Sequence, residues 1–134
     1  MKYRLLDHTA DALIEAYGES LADRYASAAY AMFDQMTDVR KIDLVGEVKV
    51  IISADSRERL LVDFLEELLY LHDAENLVFG RFIVRIRDLS LEATVSGEEF
   101  DVDKHPKKAV VKGVTYHELT FDDVNKKIVL LLDV

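Results

Sequence analysis

Two short segments gather the oxygen atoms with which a protein can hold a metal ion. The first is Asp7-His8-Thr9-Ala10-Asp11, with two carboxylates, a hydroxyl and one imidazole close together. Grouped carboxylates suit Mg²⁺, Ca²⁺ or Mn²⁺, which take several oxygen ligands. The second is Leu130-Leu131-Leu132-Asp133-Val134, an apolar strand pattern that runs to the last residue. A strand can hold in place a terminal carboxylate that would otherwise fray. Asp133 and the Val134 carboxylate would then form a paired anionic site, and Asp11 completes it if the first and last strands lie together. Three anionic groups in one place repel unless a cation sits among them. Each segment also has a plainer reading. Asp and Thr side chains bond the local backbone in turns, and Asp133 can simply finish an edge strand.

Other chemistry is poorly provided for. The chain has no cysteine, which excludes disulfides, thiolate nucleophiles and cysteine-based zinc sites. No Gly-x-Ser-x-Gly elbow and no Gly-rich phosphate loop is present. Acid–base work by Asp7 or Asp11 with His8 is open, as in a small metal-dependent hydrolase, but nothing singles it out. His72 falls four residues beyond Leu68 on an apolar helical stripe, the place of a core histidine. His105 sits among Lys104, Lys107 and Lys108, a basic stretch that offers an anion or partner contact. His117 follows Tyr116 in a strand.

These residues need elements to position them. Ser20 with Asp23 three residues on reads as a helix start, and Leu21, Tyr25, Ala28, Ala29, Met32, Phe33 and Met36 trace one helical face. Asp55 with Glu58 gives a second start, followed by the wide stripe Leu60, Leu61, Phe64, Leu65, Leu68, Leu69. The remainder alternates with period two. Strands are expected at Leu5-Leu6, at 13–17, 44–53, 82–87, 91–95, 109–119 and 127–132, with Ile83 breaking an otherwise clean pattern. Ser96-Gly97-Glu98 is a turn candidate, and 101–108, which holds the only proline, is the best loop. The pattern predicts one α+β domain over 1–134: two helices packed on one face of a mixed, largely antiparallel sheet.

Composition narrows the function classes. Half of the 134 residues are hydrophobic and 32% are charged, a globular mixture. No apolar run approaches the ~20 residues of a membrane span, and Asp7 interrupts the N-terminus too early for a signal peptide, so a cytoplasmic protein is expected. The net charge of −9 argues against autonomous binding of nucleic acid, which needs a basic footprint. It favours a basic protein partner or metal ions.

In their order along the chain, five segments resemble the archease family. They are Asp7-His8-Thr9-Ala10-Asp11; the helical run from Leu60 to Leu71; Gly97-Glu98-Glu99-Phe100-Asp101 with Lys104-His105; Lys112-Gly113-Val114-Thr115-Tyr116-His117; and Leu132-Asp133-Val134. Ala12-Leu13-Ile14 and the final valine depart from the common pattern without removing a ligand atom. The resemblance implies an accessory protein, not an enzyme. Such a protein activates the GTP- and metal-dependent tRNA-splicing RNA ligase, promoting its guanylylation and repeated turnover. It also implies that Asp11, Asp133 and the Val134 carboxylate hold a divalent ion, calcium first, with magnesium or manganese as alternatives. Asp7, His8, Lys104 and His105 are contact candidates only. A general chaperone or interaction module for nucleic-acid enzymes is the alternative reading.

Overall fold

Ser20 opens the first helix, α1 (Leu21–Met36), as the capping pattern predicts: its hydroxyl accepts the Asp23 N–H at 3.0 Å, and Asp23 accepts the Ser20 N–H at 3.4 Å. The second helix, α2 (Arg57–Glu75), starts one residue later than the Asp55 signal suggests. Ser56 is its N-cap, with the hydroxyl accepting the Arg59 N–H at 3.1 Å. Asn76 ends it at φ 58°, a left-handed conformation that asparagine tolerates, and its N–H donates to the His72 carbonyl at 2.9 Å.

This computed structural model describes residues 2–6 and 11–134, so Asp7 and His8 lie outside the described residues. Seven strands are present among them: β1 (Lys2–Leu6), β2 (Ala12–Tyr17), β3 (Gly46–Ser53), β4 (Leu77–Arg87), β5 (Ser90–Glu99), β6 (Gly113–Asp122) and β7 (Lys127–Asp133). The α+β class is as expected, and the strand arrangement is more specific than the sequence pattern. The strands divide into a four-stranded sheet, β1-β2-β7-β6, and a three-stranded sheet, β3-β5-β4. Every described pairing is antiparallel. Alternation reveals which side of a strand is wet, but not which strand lies beside it.

The helices explain how two sheets share one core. α1 touches β1, β2 and β7 of the larger sheet and β4 of the smaller; α2 touches β6 and all three strands of the smaller sheet. Ala26, Ala28, Ala29 and Ala31 of α1 are all buried, so this helix is enclosed on more than one side. Phe33 sits 5.5 Å from Phe79 and 5.8 Å from Phe82, ring centre to ring centre. Leu60, Leu61, Phe64, Leu65 and Leu68 of α2, with Ile14, Ile128, Leu130 and Leu132 of the larger sheet, complete the same cluster. Each large apolar side chain buried this way contributes about 1.5–3 kcal/mol.

Two local expectations change. Ser96-Gly97-Glu98 is not a turn but part of β5. A Cβ on Gly97 would stand 1.8 Å from the Val78 carbonyl oxygen, so glycine is there for close strand approach. The strand expected from Ala109 begins at Gly113, because the Lys108 and Ala109 N–H groups donate to Met36 and Gln35 at the end of α1. Ile83 interrupts the alternation as expected: it is an exposed apolar residue on the face of the arginines beside it. No helix among the described residues is long and apolar enough to cross a membrane.

Candidate functional site

The pairing of β2 with β7 decides where the expected ligands lie. Its last pair is Ala12 with Leu132. One residue further on each strand come Asp11, in the bend before β2, and Asp133, the final residue of β7. Directly opposed residues of an antiparallel pair share a face of the sheet, with Cβ atoms about 4.5–5.5 Å apart. The topology thus sets one aspartate just past the last rung on each of the two strands. Val134 follows, and its side chain packs against the core.

β6 and α2 hold this rim. The Lys112 N–H donates to the Asp133 carbonyl at 2.7 Å, and Gly113 pairs with Asp133. The Glu66 carboxylate of α2 accepts the Val114 N–H at 2.9 Å. A Cβ on Gly113 would stand 3.3 Å from that same carboxylate, so the glycine leaves Glu66 room to reach the strand. Neither Asp11 nor Asp133 forms an ion pair among the described residues. Opposed like charges are destabilising, and an oxygen-only donor set suits a hard cation. No three His, Asp or Glu side chains converge on one point among the described residues. Among the described residues these two carboxylates alone do not make up the donor set of a divalent ion, which takes several oxygens.

The Gly97–Asp101 and Lys104-His105 motifs converge elsewhere, on Glu98. Its Oε2 accepts the Lys104 ammonium at 2.6 Å, the Asp43 N–H at 2.7 Å and His105 Nε2 at 2.9 Å. His105 is fully buried. Its Nδ1 accepts the Asp101 N–H at 2.9 Å, so the proton is on Nε2 and points at Glu98. Lys104 also pairs with Asp43 at 2.6 Å. The Lys104 ammonium, then the Asp43 N–H and the His105 ring, pull the Glu98 carboxyl down to a pKa of about 2.

This arrangement corrects the reading of His105 as a contact candidate, since the ring is buried; Lys104 stays partly exposed while it pairs with Glu98 and Asp43, and the two residues lock the 101–112 segment onto the fold. Lys108 stays exposed and caps the end of α1, its ammonium donating to the Asp34 carbonyl at 2.7 Å. His72 behaves as the core histidine its spacing predicts, with Nδ1 against the Leu77 carbonyl at 2.9 Å and Phe33 and Phe100 packed edge-on. Sequence reasoning missed the Glu98 hub and the Glu66 strand anchor. The only available signal for the hub was the ordered occurrence of Glu98, Lys104 and His105.

Comparison with known proteins supplies the remaining context. The profile of the Archease protein family matches residues 3–134. The archease of Pyrococcus furiosus is 42% identical over 120 residues, which span 87% of this chain and 84% of that protein. The archease of Sulfolobus acidocaldarius is 41% identical over 120 residues, covering 88% and 86%. A solution structure of a Methanobacterium thermoautotrophicum protein superposes with a TM-score of 0.84 at 38% identity, covering 98% of each chain. A crystal structure from Thermotoga maritima, described as an archease and possible chaperone, superposes at 0.65 with 17% identity over 100% and 98% of the chains, and so shares the fold.

Proposed function

Because this chain belongs to the archease family, we propose that it is a cytoplasmic accessory protein that activates a GTP- and metal-dependent tRNA-splicing RNA ligase. The role is to promote guanylylation of that ligase and its repeated turnover. One observation supports the site assignment: the β2–β7 register ends at Ala12 with Leu132, and Asp11 and Asp133 are the next residues on the two strands. Asp11, Asp133 and the Val134 carboxylate are the residues that would hold a divalent ion, with calcium the first choice and magnesium or manganese the alternatives. A divalent ion bound there would supply positive charge to the phosphates of a nucleotide in the partner's active site.

The protein's own residues do the rest. Asp133 is exposed and Asp11 half-buried, and the Glu66 and Lys112 contacts fix the strand that carries Asp133. The net charge of −9 steers the protein toward the basic cleft of an enzyme that handles RNA and nucleotide.

The test is ligase guanylylation in the presence of Asp11→Ala, Asp133→Ala, and a variant extended beyond Val134. Each is expected to lose stimulation, and wild-type stimulation by all three overturns the site. A general chaperone would instead stimulate unrelated nucleic-acid enzymes and be indifferent to Asp11→Ala.

A further inference from the structure

Four basic side chains meet on one face of the three-stranded sheet. The inner face of β3-β5-β4 carries Val50, Phe82, Leu91, Ala93 and Val95, all buried. The register then sets the outer face in rows: Glu47–Ser96–Arg81, Lys49–Thr94–Ile83, Ile51–Glu92–Arg85 and Ser53–Ser90–Arg87. Lys49, Arg81, Arg85 and Arg87 are all exposed. Two carboxylates oppose them, and Glu92 lies between Lys49 at 3.5 Å and Arg85 at 3.8 Å. The face is therefore basic in a chain of net charge −9.

Protection of an open sheet edge explains the presence of charge on β4, but not its sign. Acids outnumber Lys and Arg by 26 to 17 in the chain, yet β4 carries three arginines and no acid. The strand period spaces Arg85 and Arg87 along one line, about 6.8 Å apart. Guanidinium forks suit phosphate oxygens, and the hydroxyls of Ser90 and Thr94 lie beside them as further phosphate partners. The face bears no aromatic ring on which a base could stack.

We propose that the outer face of the β3-β5-β4 sheet, through Lys49, Arg81, Arg85 and Arg87, binds the phosphodiester backbone of an RNA strand. The choice of RNA rests on the reading of the partner as an RNA ligase. Contact is to backbone only and tolerant of sequence. The expectation of no nucleic-acid contact came from net charge, and a sheet can gather cations that are never consecutive in sequence.

The experiment measures fluorescence anisotropy of a short labelled single-stranded RNA with the isolated protein, between about 50 and 200 mM salt. Wild type is expected to bind with Kd of about 10⁻⁴–10⁻⁶ M and a clear salt dependence. R81Q/R85Q/R87Q is expected to weaken binding at least ~10-fold and to lower the log–log salt slope by about 2, three lost phosphate contacts at roughly 0.7 each. E92Q frees Lys49 and Arg85 and is expected to tighten binding about threefold. Lys107→Gln, in the other basic stretch, is expected to change nothing. Circular dichroism confirms that each variant is folded.

Absence of wild-type binding, binding unaffected by the triple variant, or loss of binding on Lys107→Gln overturns the proposal. So does displacement of RNA by an acidic polypeptide at lower concentration than by unlabelled RNA, which would make an acidic protein the occupant. Asp11→Ala is expected to bind RNA normally. Failure of the ligase reading and failure of this proposal are therefore separate results.

Discussion

Two clusters of acidic side chains sit in this molecule under opposite terms. At Glu98 the fold surrounds one carboxylate with an ammonium, a backbone N–H and a histidine whose proton is directed at it. At the β2–β7 rim the fold sets an aspartate just past the last rung of each strand and gives neither an ion pair among the described residues. A compensated acid joins chain segments and contributes stability. An uncompensated pair does the reverse, and the metal ion proposed for the rim would offset it. The two motifs look alike in sequence, since both mix Asp or Glu with a histidine, and only their surroundings separate a bolt from a site.

The largest effect that bears on this contrast is expected at Gly97, which lets β5 approach Val78 beside the hub. Gly97→Ala cannot avoid the carbonyl oxygen without moving a strand, and a loss of about 3 kcal/mol is expected in chemical denaturation. An unchanged midpoint would mean that the hub tolerates displacement. Glu98→Gln comes next. It removes the charge that Lys104 and His105 are built around and is expected to lose about 2 kcal/mol, with the 101–112 segment becoming the first to exchange amide hydrogens.

Acid makes the same comparison without mutation. Glu98 is held below its ordinary 4.5, at about 2, by Lys104, the Asp43 N–H and His105. A carboxyl with a lowered folded-state pKa contributes its full stability above 4.5, and that contribution disappears as pH falls from 4.5 toward about 2. The stability gap between wild type and Glu98→Gln should therefore close across that window. A gap that stays constant would remove the hub from the account. The smallest effect belongs to the rim. Asp11→Asn and Asp133→Asn are expected to change stability by less than about 0.5 kcal/mol without divalent ions, in the stabilising direction. Added calcium is expected to raise the melting temperature of wild type alone. Equal shifts in all three proteins would dissolve the distinction between the regions.

Much of the architecture could be read from spacing, and the failures have physical causes. Ser20 and Asp23 announced α1 because a capping box is local chemistry. Asp55 and Ser56 compete for the start of α2, and the hydroxyl wins by reaching Arg59. Gly97 looked like a turn residue because sequence cannot distinguish a glycine needed for a bend from one needed for close packing. The division into two sheets was not legible, since period two carries no record of a partner. The rim was half legible: Asp11 and Asp133 stood out as carboxylates, but the β2–β7 pairing was needed to make them neighbours. The buried state of His105 could not be anticipated, because its flanking lysines and proline gave a solvent-exposed composition.

The pairing of Ala12 with Leu132 also sets an order of events. The three-stranded sheet joins β4 to β5 through a tight turn and is within reach early in folding, whereas β2 must wait for β7 to be found across nearly the whole chain. Loop closure of that length makes the β2–β7 zipper the slow, late step. Asp11 and Asp133 stand just past its final rung, so the rim assembles only when folding is complete. A half-folded chain therefore has no rim, and under the proposed function recognition there would double as a check on maturity.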